Sequence, residues 1–201
     1  MKNANILFLV LGLSLLFFGC TGGETKTTDS DVVKDTAKKT AYANALDQFK
    51  SKDPNYTYYS SPMFLIYYPK GWHADDSQNP VFHFISPQEN TNDTVLEEFI
   101  VEIWAGNEST AADFEASERK LMVEGDTVTK KESLQYKGKD AFSIVIEGNH
   151  PDTGVPMLYK TVFFRNGKWV YRLNYGIEKS KLDKYQPTTE SIFDKFVIGS
   201  G

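Results

Sequence analysis

An antiparallel sheet covered by helices, an α+β sandwich, is the fold class this sequence predicts. Three observations predict it. From Tyr56 onward, short runs rich in Tyr, Phe, Ile and Val alternate with turn residues, the texture of strands. The later runs are joined by connections of hairpin length, one of them through Asn166-Gly167, where both residues tolerate the positive φ of a tight turn. Helical periodicity is confined to three short segments, at the beginning, middle and end of residues 41–201. The chain of 201 residues, with 40% hydrophobic residues and a net charge of −5, can bury one core without disulfide or metal staples. The same charge balance disfavours a nucleic-acid partner.

The elements run as follows. Met1-Lys2-Asn3 gives a positive start, and residues 6–18 form an apolar run interrupted only by Gly12 and Ser14. A bilayer-spanning helix needs about 20 apolar residues, so residues 1–19 read as an export leader. The run ends in Phe17-Phe18-Gly19-Cys20, which resembles the lipobox of prokaryotic lipoproteins: a small residue precedes the cysteine that is lipidated and becomes the new first residue. Cys20 is also the only cysteine, so it has no intramolecular disulfide to make. An ordinary cleaved leader with an incidental cysteine is the competing reading. An acidic mature chain has no basic patch for anionic lipid, so the acyl chains must hold it at the outer face of the membrane.

Residues 20–40 contain few apolar side chains, which predicts a flexible polar linker. The domain begins at residue 41. Ala41, Ala45, Leu46 and Phe49 share a stripe, predicting a short helix that Asp53-Pro54-Asn55 ends. Strands are predicted over 56–60, 63–68, 81–86 and 95–105; in the last, Val95, Phe99, Val101, Ile103 and Ala105 share a face with Glu97 as its exception. Residues 110–124 switch to helical period, with Phe114, Leu121 and Met122 on one side, Thr110 and Asp113 as a capping-box-like start and Gly125 as the stop. Strands follow over 127–136, 140–149, 157–165 and 168–177. A closing helical segment, 180–195, is expected to be capped by Ser180 and Asp183 and to restart at Pro187, which fits poorly in a helix interior.

Two stretches carry a family resemblance. Phe64-Leu65-Ile66-Tyr67-Tyr68-Pro69-Lys70-Gly71-Trp72 resembles the opening strand and turn of PsbP-like proteins. Gly167-Lys168-Trp169-Val170-Tyr171-Arg172-Leu173-Asn174-Tyr175 resembles their penultimate strand, and Ser191-Ile192-Phe193-Asp194-Lys195-Phe196 their final helix and tail. The resemblance covers roughly residues 56–199 and implies a sheet of about six antiparallel strands between helices, a PsbP-like α-β-α sandwich. That fold is shared by the extrinsic photosystem II protein and a Ran-binding nuclear import factor. Their work is unrelated, so what the resemblance implies is an accessory protein that binds a larger partner.

Candidate chemistry is sparse. His73, Asp75 and Asp76 follow Trp72, and His150-Pro151-Asp152 forms a second polar loop; either set could ligate a divalent cation, and solvated turns are the plainer account of both. Glu98 and Glu102 share one strand face while Glu97 points to the other, which argues against a joint acid/base set. His83 sits between Phe82 and Phe84 on a strand, where a solvent-facing or satisfied core position is expected. There is no G-x-S-x-G elbow and no Gly-rich phosphate loop before a helix. No enzyme activity and no cofactor are therefore expected. Trp169, Tyr171, Leu173 and Tyr175 share one strand face, and with Trp72 they are either core or an aromatic platform for a partner.

The expected function is that of a lipid-anchored extracytoplasmic accessory protein, a monomeric domain acting through an unidentified protein partner. A surface solute- or metal-binding protein is the alternative, and an exported hydrolase a distant one. Cys20→Ser is expected to release the protein from the membrane fraction or leave it unprocessed, as read by fractionation and intact mass. Equal membrane retention of a variant processed at another site would refute the anchor.

Overall fold

The computed structural model describes residues 53–199. The predicted leader, Cys20, the predicted linker and the predicted helix over 41–52 lie outside the described residues. Ten strands and two α-helices follow in the order β1 (Tyr56–Ser60), β2 (Phe64–Pro69), β3 (His73–Asp75), β4 (Val81–Ile85), β5 (Glu98–Ala105), α1 (Ala111–Arg119), β6 (Thr127–Tyr136), β7 (Lys139–Asn149), β8 (Pro156–Asn166), β9 (Trp169–Glu178), α2 (Leu182–Lys195) and β10 (Val197–Ile198). A 3-10 turn, Lys179–Lys181, leads into α2. The fold is α+β and every sheet pairing is antiparallel.

The large sheet has seven strands in the order β3-β4-β5-β9-β8-β7-β6, and a smaller one has the order β1-β2-β10. About six strands were expected. The difference arises because residues 73–75, which read as a solvated turn, pair with 83–85 as an edge strand, and because 56–69 leave to form the small sheet with 197–198.

Strand alternation sorts the side chains into two layers. Phe99, Val101, Ile103, Val162, Phe164, Tyr171, Leu173 and Tyr175 face one side, where β2, Phe196 and the buried stripe of α2 close over them. Phe64 stacks on Phe196 and Phe164 on Tyr171, with ring centroids 5.6 and 4.8 Å apart. On the other side Phe142, Ile144, Ile146, Phe163 and Val170 pack against Phe114 of α1. β9 is therefore buried on both faces, as its position in the middle of the sheet requires.

Three local expectations are corrected. The predicted helix over 110–124 keeps its capping box, Thr110 with Asp113, but ends at Arg119. The Asp126 carboxylate accepts the Val123 N–H at 2.9 Å and turns the chain early, leaving Leu121 exposed rather than packed. α2 runs unbroken through Pro187, and neither Ser180 nor Asp183 caps it. Burial of Tyr185, Thr189, Ile192 and Phe193 outweighs the one backbone hydrogen bond that proline forfeits. In the last hairpin Asn166 pairs with Trp169, so the two-residue turn is Gly167-Lys168, with the positive φ on Gly167.

Trp72 is 7% exposed and packs against Tyr185, whereas the neighbouring His73 is exposed on β3. Trp72→Ala is expected to cost on the order of 3–5 kcal/mol and His73→Ala under about 0.5 kcal/mol in denaturant titrations. A tolerant Trp72 beside a sensitive His73 would reverse the assignment of anchor and surface.

Candidate functional site

The α1 side of the sheet is where polar chemistry collects. Arg172 lies in the middle of β9, directly opposite Glu102 of β5. Its neighbours on that face come from strands whose alternate residues are apolar, so the guanidinium must find partners inside the protein. Glu118, in the last turn of α1, supplies two: Arg172 Nε donates to Oε2 at 2.9 Å and Nη2 to Oε1 at 3.0 Å. Arg172 Nη1 donates to Glu102 Oε2 at 3.0 Å. Thr161 Oγ1 donates to Glu118 Oε1 at 2.9 Å, and Asn174 Nδ2 to Thr161 Oγ1 at 2.8 Å. Burial alone would weaken the Arg172 charge. The hydrogen bonds and charges of Glu118 and Glu102 more than offset that and hold its pKa above the ordinary arginine value.

Beside this network the chain leaving α1 arches over the sheet and encloses a cleft of about 220 Å³. Its floor is Arg172, Glu118 and Asn174; its walls include Ile100, Ile146, Met122 and Tyr159. Leu121 and Val123, 58% and 48% exposed, also line it and form its lip. Two glycines shape the wall. A β-carbon at Gly148 would meet Asp126 Oδ1 at 1.9 Å, and one at Gly176 would meet the Tyr159 ring at 3.0 Å. The carboxylate and the ring thus occupy space that side chains on β7 and β9 would otherwise fill. Burial, and secondarily the charge of Asp126, raise the Tyr159 pKa. Polar groups at the base of an apolar-walled recess make this arrangement suited to recognition.

A second polar cluster lies where the C-terminal end of β9 leads into α2. Lys181 Nζ reaches Asp93 Oδ1 at 2.6 Å, Glu97 Oε1 at 3.2 Å and Glu178 Oε2 at 3.4 Å. Burial opposes the Lys181 charge, but the carboxylates of Asp93 and Glu97 drive its pKa upward. The Glu89 backbone N–H, together with Lys181, holds Asp93 below the usual carboxylate range. This explains Glu97 as an exception on an apolar face: it is fully buried, accepts from Ser86 Oγ at 3.1 Å and pairs with Lys181. The protein's own ammonium fills this cage, which ties residues 86–97 to the start of α2.

The residues singled out in the sequence fall elsewhere. Trp72, Tyr171 and Tyr175 belong to the large core, with Tyr171 donating to the Met63 carbonyl at 3.0 Å and Tyr175 to Glu190 at 3.2 Å; Trp169 is half-buried at the core's edge. Their face is interior. Asp75 accepts the Ser77 N–H, Asp76 accepts from Tyr59, and His150 and Asp152 meet in the exposed β7–β8 turn. Among the described residues no three His, Cys, Asp or Glu side chains are grouped to hold a metal. Glu98 pairs with His83 at 2.5 Å on the face shared with Glu102. Sequence reading missed Glu118, Asp126, Tyr159 and Asn174 as a group. Arg172, a charged side chain in the middle of an aromatic-rich strand, was the available signal.

No family model matches this chain, and no curated protein matches it. Solved structures do match. The solution structure of cyanobacterial PsbP (CyanoP) from Synechocystis is similar at 12% identity and a TM-score of 0.52, over 74% of this chain and 95% of that one. The fold is PsbP-like. LpqN of Mycobacterium tuberculosis, described as involved in cell envelope biogenesis, is similar at 15% identity and a TM-score of 0.51, over 77% and 96% of the two chains. At such identities the likeness establishes the PsbP-like architecture alone.

Removing one partner of the buried pair should expose its cost. Arg172→Ala, which strands Glu118, is expected to lose about 3–5 kcal/mol, and the double variant Arg172→Met with Glu118→Leu to recover most of that loss. Calorimetric or denaturant unfolding checks both; additive losses would show that the two side chains are not coupled.

Proposed function

We propose that this protein is a lipid-anchored, extracytoplasmic accessory protein that works by contact with another protein. The Gly19-Cys20 junction behind a short apolar run supports the anchor. Among the described residues no helix is long and apolar enough to cross a membrane. LpqN, the cell-envelope protein of similar fold, supports a place in the envelope.

The single observation that carries the mode of action is the cleft with its exposed apolar lip. Nearly all large aromatic side chains of the sheet are spent on its interior, so the faces of the sheet are not free to dock a partner. Leu121 and Val123, by contrast, are large apolar side chains exposed two residues apart at the mouth of a polar-floored recess. Apolar anchors beside desolvated polar groups are the pattern of an interface centre.

A photo-crosslinking residue at position 121, in protein held in native membranes, is expected to capture a discrete partner band. The same residue at the exposed position 70, in the β2–β3 turn, is expected not to. Equal labelling at both positions, or none at 121, would remove the cleft from the partner surface.

A further inference from the structure

We infer that the cleft beneath residues 121–126 receives a basic side chain, lysine or arginine, carried by an apolar segment of the partner. The inference rests on the reading of this cleft as the partner surface, and it names the chemistry that the surface reads.

Charge is the first ground. Among the described residues lining the cleft, Arg172 is the only cation. Each of its three nitrogens already donates to Glu118 or Glu102. Asp126, on the same wall, has no cationic partner among the described residues. Its Oδ2 accepts the Val123 N–H, and its buried Oδ1 has no hydrogen-bond partner. Two carboxylates of the lining, Glu118 and Asp126, therefore stand against one guanidinium that Glu102 further neutralises from outside it, in surroundings whose apolar walls strengthen any charge interaction made there. A cation entering the cleft supplies the counter-charge for Asp126, whereas an anion meets a net negative lining.

Shape is the second ground. Gly148 leaves room for the Asp126 carboxylate and Gly176 for the Tyr159 ring, and both groups line the recess. A carboxylate and an aromatic ring on one wall favour an ammonium or guanidinium, through Coulomb attraction and through the ring's quadrupole. Size decides between a bound solute and a side chain. Pockets that enclose drug-sized ligands run from about 300 to 1,000 Å³, and this one, at about 220 Å³, suits one long side chain. The apolar stem of lysine or arginine matches the walls while its head reaches the floor. Leu121 and Val123 then meet the apolar residues that flank the inserted cation.

Titration of the full chain with short blocked peptides tests this, followed by the methyl resonances of Ile100, Met122, Val123 and Ile146. Acetyl-Leu-Lys-Leu-amide and acetyl-Leu-Arg-Leu-amide are expected to shift these methyls saturably. The norleucine peptide should bind about ten-fold more weakly and the glutamate peptide not at all. Asp126→Asn keeps the acceptor for Val123 N–H and is expected to weaken the lysine peptide about ten-fold. Leu121→Ser, at an exposed position, should weaken the peptide and leave n-butylammonium unaffected. Equal affinity for the lysine and norleucine peptides would overturn the inference, as would n-butylammonium binding as tightly as the peptide, which would mark a site for free organic cations. Absence of any saturable shift would overturn it too. A crosslink at position 121 that survives Asp126→Asn undiminished would sink the basic side chain while leaving the partner surface in place.

Discussion

The two-point contact between Arg172 and Glu118 holds the α1 side of this protein in its arrangement. β9 is the fourth of seven strands and is buried on both faces. One face is filled with aromatic and aliphatic side chains. The other is covered by α1, a helix of only nine residues, and by the turn that follows it. A helix this short has little intrinsic stability and few side chains with which to specify its position. The buried charge pair specifies it. A guanidinium forked onto a carboxylate tolerates little displacement, so Glu118 fixes where the last turn of α1 sits on the sheet, and with it where the 121–126 turn begins its crossing. A hydrophobic pair of the same volume would hold the layers together with less control over register.

The two sides of the sheet thus follow different rules. The aromatic side is defined by volume: stacked and edge-to-face rings from β2, β5, β8, β9 and α2 interlock, and its polar contacts sit at the edge, as in the Tyr171 bond to the Met63 carbonyl. The α1 side is defined by pairing, because Arg172, Glu118, Thr161 and Asn174 each need another to be satisfied. Lys181 applies the pairing rule once more, at the junction of β9 and α2. There it joins the loop of residues 86–97 to the start of α2.

Much of the fold was legible in the sequence because its strands are long enough to show alternation. β1 and β6 have the predicted limits, and the strands of the 127–178 meander lie within a residue or so of them. β3 and β10 were not legible, since two or three residues carry no period. The early end of α1 was hidden because the group that turns the chain, Asp126, lies beyond the helix it terminates. The cleft was less legible still. Glu118, Asp126, Tyr159 and Arg172 are spread along the chain; the register of β8 against β9 places Tyr159 and Arg172, and the packing of α1 and the turn after it brings Glu118 and Asp126 to them. The aromatic strand face was easy to see and belongs to the interior, whereas the lone arginine opposite it marked the site.

The small sheet has a consequence for the order in which the protein can be completed. β2 is flanked on one edge by β1, its neighbour in sequence, and on the other by β10, the last strand described. Leu65 and Phe64 pair with Val197 and Ile198, Gly199 donates to the Met63 carbonyl at 2.7 Å, and Phe196 covers the Phe64 ring. A chain that emerges N-terminus first must therefore hold β2 with one edge open and one ring uncovered until residues 196–199 arrive. The hairpins of the large sheet can form as they are made, but the seal over the aromatic core is a closure between segments about 130 residues apart, and it follows them. Any fragment truncated before residue 196 lacks that seal, whatever else it has folded.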